Sequence, residues 1–411
     1  MAAHTNSIPT VGYVVSTWPR LSQTFVLTEV VALERCGVPL RIFSVKDPGG
    51  EPVHAKVAQV RAEVTYLSFR RWKHIVRANL QLAREVPGRY ARTLLRAVTY
   101  GRFGVVRRFF QAGYLAQLLR CAPVGHLHAH FATAPTLLAM FASELTGIPY
   151  TFTAHARDIY VDTQHKLLRR EIEAAHAVVT VSEYNRKYLE TQISPSSSRK
   201  VHCIYNGLDL ADFTFRWPRM ADPGPPVILS VARLIPKKGI GDLIEAAAIL
   251  KQQGRACKLE IIGSGPLRSE LENRVAQLSL GDCVEFKGPQ PQESVSSAYQ
   301  RASIFALPCV VTEDGDRDGI PTVVLEAMAS GLPVVSTPVS GIPELIDSSR
   351  DGVLAPPNNP AKLAEALDQL LADPPLRDRL ARAAREKIES QFLVERSSRQ
   401  LLKLFDNGAA Q

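Results

Sequence analysis

Short β-branched runs alternate with helix-period stretches along nearly the whole chain, and the pattern is laid down twice. Apolar strands that lie side by side in a parallel sheet need helices to carry the chain back, so this alternation predicts βαβ units. In the first half, strands are expected at residues 11–16, 40–44, 64–66, 126–129, 150–153, 177–181 and 201–204. Helical stretches are expected at 23–36, 72–120, 133–145 and 182–189. In the second half, strands are expected at 227–232, 257–262, 284–287, 303–307 and 333–336. Helices follow at 240–252, 266–279, 295–301, 322–329 and 360–372. Residues 215–226, FRWPRMADPGPP, concentrate four prolines and interrupt the periodicity, which places a linker there. The expected fold class is α/β: two Rossmann-like doubly wound domains facing a cleft at the carboxyl ends of their strands. The expected domains are 1–220 and 221–390. A charged helical tail covers 376–405, with 391–411 packing back toward the first domain.

A length of 411 residues suits two domains, and 45% hydrophobic with 22% charged residues suits an ordered chain. The N-terminal MAAHTNSIPT lacks a charged-then-apolar leader pattern, and no apolar run approaches the ~18 residues of a membrane span. Cys36, Cys121, Cys203, Cys257, Cys283 and Cys309 are scattered without a Cys-x-x-Cys pair. A reduced cytoplasmic protein without structural zinc is expected.

The net charge of +9 is unevenly placed. From Arg70 to Arg120 there are twelve Lys/Arg and one acid, Glu85; this segment carries +11 and the remainder −2. Its basic residues alternate at roughly helical spacing with Trp72, Ile75, Val76, Leu80, Leu82, Leu94, Leu95, Phe103, Phe109 and Phe110. Basic amphipathic helices favour anionic bilayer surfaces, and also occur as solvated faces or nucleic-acid footprints. No nucleic-acid-binding motif accompanies the charge, so an anionic membrane surface or a plain solvated face is expected.

The stretch from Gly315 to Thr337, GDRDGIPTVVLEAMASGLPVVST, carries the most chemistry. Gly319 frees the backbone for close ligand approach, and Pro321 suits a helix's first turn, where its missing N–H costs nothing. The unpaired N–H groups at that helix start attract phosphate. Glu326 lies four residues after Thr322 and leans back toward the same mouth, where its carboxylate can accept ribose hydroxyl hydrogen bonds. Asp318 and Glu326 thus flank one phosphate-binding helix end.

Other motifs sit at expected strand ends. VARLIPKKG (231–239) holds Arg233, Lys237 and Lys238, a fork and point charges suited to a diphosphate. IIGSGPL (261–267) is a strand, a turn with Gly263 and Gly265, and a helix start. It is either a backbone approach to a ligand or a plain tight turn, since the third glycine of the dinucleotide fingerprint is absent. His126, His128 and His130 alternate onto one strand face, where no nearby Cys or Glu completes a metal set. In TFTAHARDIY a strand delivers His155 at its carboxyl end, with Arg157 and Asp158 just beyond. Asn206-Gly207 is a turn at another strand end.

Together these residues resemble a family-4 retaining glycosyltransferase of the two-Rossmann-domain GT-B architecture. IYNGLD, VARLIPKKG, IIGSGPL, VEFKG, DGIPTVVLEAMASGLPVVST and GIPELI occur in the family's order across nearly the whole chain. PRLSQTF, GHLHAHF and TFTAHARDIY further resemble the branch that builds colanic-acid-type and other exopolysaccharides. The resemblance implies that Arg233 and Lys238 hold the donor diphosphate and that Glu326 holds the ribose. Gly319, Ile320, Pro321, Thr322, Gly263, Gly265 and Asn206 complete the donor side. Asp318 falls where the family's Glu-x7-Glu motif has its first acid, one methylene shorter here. His155 matches the catalytic-region histidine. Ser22, Gln23 and Thr24 occupy the phosphate-facing loop of the first domain, with Gln23 where related sequences commonly carry Glu. Asp316-Arg-Asp318 copies the Asp-x-Asp metal motif of another glycosyltransferase fold, but cationic side chains already balance the diphosphate. No metal and no cofactor is expected.

The implied activity is retaining transfer of a hexose from a UDP- or GDP-sugar to a hydroxyl of a lipid-linked saccharide, on the inner face of the plasma membrane. Departure of the nucleotide diphosphate is helped by Arg233, Lys238 and the helix start, and the leaving phosphate takes the acceptor's proton. Two alternatives stay open. One is a sugar-nucleotide-binding protein with weak or no transferase activity; the other is a nucleotide-sugar epimerase or phosphorylase, whose acid/base sets or cofactor lysine are not evident.

Overall fold

A computed structural model describes residues 9–20, 23–50, 53–162, 164–215 and 224–406. The first sheet has seven parallel strands: β1 (Val11–Thr17), β2 (Leu40–Lys46), β3 (Glu63–Tyr66), β4 (His126–His130), β5 (Tyr150–Ala154), β6 (Ala177–Thr180) and β7 (Val201–Cys203). The second has six: β8 (Val227–Val231), β9 (Lys258–Ile262), β10 (Val284–Gly288), β11 (Ile304–Leu307), β12 (Val334–Ser336) and β13 (Val353–Leu354). The two-residue β13 is the one strand the alternation did not predict.

Their orders are β3-β2-β1-β4-β5-β6-β7 and β10-β9-β8-β11-β12-β13. Both sheets are doubly wound, and both reverse direction beside their first strand, between β1 and β4 and between β8 and β11. At such a switch point the loops leaving adjacent strands turn opposite ways and open a crevice at the carboxyl ends. The strands at the switch points carry buried runs such as VGYVV and IFAL, because helices cover both sheet faces.

The chain divides into two compact units, one of Met1–Gly207 with Val394–Gln411, the other of Leu208–Leu393. The proline-rich segment expected as the linker lies mostly outside the described residues, and the change of unit comes earlier. Leu208 pairs with Leu393, and its N–H donates to the Phe392 carbonyl, so the second unit begins and ends at one place. The charged tail is two helices, not one. Pro374–Gln391 belongs to the second unit, whereas Val394–Asp406 packs in the first unit on helix Thr24–Arg35. There Leu401 and Phe405 are buried with Tyr13, Val30 and Leu33.

The basic segment also departs from expectation. It is three helices, Trp72–Glu85, Pro87–Thr99 and Phe103–Cys121, rather than one. Pro87 cannot continue the helix before it, and Gly101 takes a positive φ of 63° that ends the next. Ile75, Ala78 and Leu82 face the core. On the first helix Trp72, Val76 and Leu80 stand out at four-residue intervals, about half exposed, and Leu95, Val98 and Phe103 continue the exposed apolar set. Among the described residues no helix is long and apolar enough to cross a membrane.

Candidate functional site

In the second unit the residues expected at the donor site converge on the β8–β11 switch point. The loop after β8 folds into a single turn, Pro236–Lys238, which aims both lysines at the loop after β11. Lys237 Nζ lies 3.0 Å from Asp316 Oδ1 and 3.2 Å from Asp318 Oδ1. Lys238 Nζ lies 2.5 Å from Asp318 Oδ2, and the Cys309 thiol faces the same oxygen at 3.7 Å. Burial would raise the Asp318 carboxyl, but Lys238 and Lys237 outweigh it and hold it at about 2. Burial also pushes the Cys309 thiol up, which keeps it protonated. Arg233 is exposed on the same loop. Both acids of the Asp316-Arg-Asp318 motif are therefore neutralised by lysines.

Three residues past Asp318 the chain enters helix Thr322–Ala329. Pro321 is the cap residue, with φ −67° and ψ 123°, rather than part of the first turn. No side chain caps this helix start, so its first N–H groups are open to an anion. Gly319, Ile320 and Pro321 are buried and Thr322 is half-buried. One turn on, Glu326 is 8% exposed and accepts a hydrogen bond from Tyr299 Oη at 3.0 Å. Burial raises its carboxyl, Tyr299 opposes this and Asp212 adds to it; the result is about 7. Tyr299 has no local sequence signal, being 27 residues away and held on another helix.

Gly263 and Gly265 serve the protein's own backbone. Gly263 takes φ +136°, and a Cβ there would meet the Ala232 carbonyl oxygen at 1.9 Å; one at Gly265 would meet that of Leu234 at 2.4 Å. The Leu234 N–H donates to Ser264 O and the Leu267 N–H to Leu234 O. The two glycines thus let the turn after β9 lace onto the lysine loop and fix its course. Asn206 lies in the first unit, on the loop after β7.

In the first unit His155 follows β5 directly, beside the β1–β4 switch point. Its ring lies 4.7 Å from that of Phe25, 4.4 Å from Phe131 and 5.6 Å from His130, on which it stacks at 23°. Phe131 holds φ +73°, unusual for a bulky residue, and so marks a backbone constrained by its surroundings. The constraint is Asp158. Its carboxylate accepts from the N–H groups of Ala132 (2.8 Å), Ala156 (2.8 Å) and His155 (3.1 Å), tying the β4 and β5 loops together. Burial, with His130 nearby, holds the His155 imidazole well below its usual range, so it is neutral. Phe25 brings the start of helix Thr24–Arg35 to this ring, and with it Gln23, which precedes that helix, and Thr24. Ser22 lies outside the described residues.

The three alternating histidines are all buried and hydrogen-bonded. His126 and His128 both bond Thr151 Oγ1, at 3.0 and 2.8 Å, and His128 also bonds Thr153 at 3.1 Å. His130 reaches Glu29 at 2.9 Å, an acid the sequence reasoning missed. Glu29, His128 and His130 bring one ligand atom each within 4.8 Å of one another. Each of those groups already has hydrogen-bond partners within the fold, so the arrangement is a closed polar network.

Two family models match in succession: the model described as Glycosyltransferase Family 4 over residues 83–212, and that described as Glycosyl transferases group 1 over 212–387. The putative colanic acid biosynthesis glycosyltransferase WcaL of Escherichia coli K12 is 30% identical over 409 residues, covering 96% of this chain and 98% of that protein. The amylovoran biosynthesis glycosyltransferase AmsK of Erwinia amylovora is 41% identical over 209 residues, 51% of each chain. Among solved structures, Anabaena HepE in complex with UDP and glucose superposes with a TM-score of 0.73 at 16% identity, covering 97% of this chain and all (100%) of that one.

Proposed function

The chain belongs to the glycosyltransferases of family 4 and group 1, in the exopolysaccharide-building branch with a GT-B fold, and on that premise we propose what it transfers and how. It moves a hexose from a UDP- or GDP-sugar, with retention of anomeric configuration, to a hydroxyl of a lipid-linked saccharide. One observation carries the donor half of this reading. A lysine pair, an acid held ionised between its members, an uncapped helix start and a buried carboxyl follow one another around a single switch point. A nucleoside diphosphate needs that set: cations and N–H groups for the phosphates, an acceptor pair for the ribose.

Lys238 and Arg233 take the diphosphate in this reading, with the N–H groups of Ile320 and Thr322. Lys238 exchanges Asp318 for phosphate as the donor enters, which turns Asp318 toward the transferring sugar. Charge that builds on the leaving phosphate meets donors already aimed at it, the arrangement that lowers a barrier most economically. Glu326 loses its proton to accept the ribose hydroxyls. Side-chain cations balance the phosphate charge, so turnover proceeds without a metal. The HepE structure holds UDP and glucose, which supports a uridine donor, whereas mycobacterial GDP-mannose-dependent relatives support a guanosine one.

The acceptor is membrane-borne. Trp72, Val76, Leu80, Leu95, Val98 and Phe103 stand exposed among the exposed Lys73, Arg77, Arg84 and Arg92. An apolar stripe flanked by cations fits an anionic bilayer surface better than water, which supports a seat on the cytoplasmic face of the membrane. Vesicles of phosphatidylcholine with and without phosphatidylglycerol test this; co-sedimentation indifferent to both anionic lipid and salt removes it. For the reaction, a panel of UDP- and GDP-sugars is incubated with the protein and membrane extract, and nucleotide diphosphate release is followed. Turnover with one donor is expected. None with any donor sinks the reading.

A further inference from the structure

One line of polar side chains in the first unit has no part yet in the proposed chemistry. Tyr13 Oη donates to Glu29 Oε1 at 2.7 Å, and His130 Nε2 lies 2.9 Å from the same oxygen. The other nitrogen of that ring, Nδ1, lies 3.3 Å from His155 Nε2. We propose that Glu29 and His130 are positioning residues: they fix His155 as its Nε2–H tautomer and present its bare Nδ1 as an acceptor for a substrate hydroxyl. This rests on the reading of His155 as a substrate-facing residue.

The assignment follows from counting hydrogens. A carboxylate has none to give, so every group that bonds it must donate. Burial, then the charge of Glu29, raises the Tyr13 phenol well above its usual range, so it keeps its proton and donates it to Glu29. The second donor is His130 Nε2–H. With that one hydrogen on the His130 ring, its Nδ1 is bare. Two bare nitrogens facing each other in a buried site would leave both unsatisfied, which costs about 1–3 kcal/mol per group. His155 Nε2 must therefore carry the hydrogen between them. His155 is itself neutral, so its own Nδ1 is left bare.

Nothing in the fold consumes that nitrogen: among the described residues His155 Nδ1 has no hydrogen-bond partner, and the residue keeps 8% of its exposure. Nor can the ring easily turn over to present the other edge. Phe25 and Phe131 close on it, His130 stacks on it, and the backbone on either side is tied by Asp158 and by Asn185, whose side-chain N–H donates to the His155 carbonyl. His128 stands off this line, edge-on to His130 at 5.0 Å, with its nitrogens taken by Thr151 and Thr153. A bare acceptor nitrogen pairs with a hydroxyl hydrogen and repels a phosphate oxygen. The group His155 takes is thus a sugar hydroxyl, and the diphosphate is left to the cations of the second unit.

The full chain labelled with ¹⁵N in its histidine rings provides the test, with the His155 signals identified by their loss in His155→Gln. In the unsubstituted protein, His155 is expected to show a pyrrole-type Nε2 and a pyridine-type Nδ1. Glu29→Ala is expected to convert this to a mixture of tautomers. In that variant kcat/KM falls about ten- to a hundredfold, the scale of losing an outer partner of a functional histidine. Its affinity for free nucleotide diphosphate stays within about twofold, as for an independent site. Glu29→Asp, which keeps the charge, recovers part of the loss. A hydrogen on Nδ1 in the unsubstituted protein overturns the proposal, and that spectrum decides even where Glu29→Ala fails to fold. An unchanged Nε2–H tautomer in Glu29→Ala overturns it equally. The tautomer is read without any substrate, so failure of every donor in the transfer assay leaves this result standing and strikes only the proposed function.

Discussion

The two switch points have the same topology and opposite electrostatics. At the β8–β11 crevice two lysines and two aspartates pair in a buried cluster, and one helical turn beyond the loop a buried carboxyl is raised to about 7. At the β1–β4 crevice two histidines and a phenol line up on the Glu29 carboxylate, which sets the direction of their hydrogens. The first arrangement stores charge that a charged ligand can displace. The second stores orientation, which suits a ligand made of hydroxyls. One doubly wound frame thus supports two recognition chemistries according to which residue types its loops carry.

The sharpest way to break this contrast is at Lys238. Lys238→Ala removes a phosphate cation and leaves Asp318 with Lys237 alone. It is expected to lower kcat/KM by about a thousandfold, roughly 4 kcal/mol of transition-state stabilisation, and to lower the melting temperature. Adding Asp318→Asn should restore the melting temperature without restoring turnover. Thermal unfolding and steady-state kinetics on both variants separate the two roles, and a fully active Lys238→Ala would mean the lysine serves only the fold.

Next in size is Glu326→Ala. Losing two hydrogen bonds to a charged acceptor should weaken nucleotide binding by about a hundredfold, near 3 kcal/mol. The fold should be unharmed, since a buried carboxyl is removed. Calorimetric titration with UDP and GDP measures it; unchanged affinity refutes the ribose role.

The pH dependence sharpens the comparison further. The Glu326 carboxyl sits at about 7, against an ordinary 4.5. Its contribution to stability is therefore fully present below about 4.5 and lost as pH rises through about 7. Ribose binding needs the ionised form, so nucleotide affinity runs the other way, rising about tenfold between about pH 6 and 8 with a proton released. Titrations in buffers of different ionisation enthalpy detect that proton. The neutral crevice of the first unit predicts no such release when a saccharide binds. The smallest effect belongs to Asp318→Glu, which restores the family's acid. The lysines opposite are long enough to shift, and kcat/KM should stay within about threefold, under ~1 kcal/mol. Complete loss would show a pocket built around the shorter acid.

Much of the β8–β11 crevice was legible because its parts are local. Asp318, the helix start and Glu326 lie within one continuous stretch, and the lysines sit at a recognisable strand end. The two sheets were legible from buried β-branched runs. What stayed hidden depends on distance in sequence. Tyr299 reaches Glu326 from a helix 27 residues earlier, and Glu29 meets His130 across 101 residues. An acid on the inner face of an amphipathic helix is the one clue that Glu29 gave. The glycines of IIGSGPL looked equally like ligand contacts, because a close approach of backbone to backbone leaves the same mark as a close approach to phosphate. The three-helix break in the basic segment was masked by its regular charge spacing, although Pro87 and Gly101 were both visible.

The return of helix Val394–Asp406 to the first unit bears on how the protein is made. Phe405 is fully buried against His126 and His128, on the strand whose last residue is His130. During synthesis the first sheet emerges early, yet one of its faces waits for residues translated about 270 positions after that strand, a separation that vectorial folding cannot shorten. The second unit lies wholly within that interval and can close first. A message interrupted after Leu393 would yield a finished second unit joined to an open histidine strand, exposing apolar surface that the cell's quality control recognises.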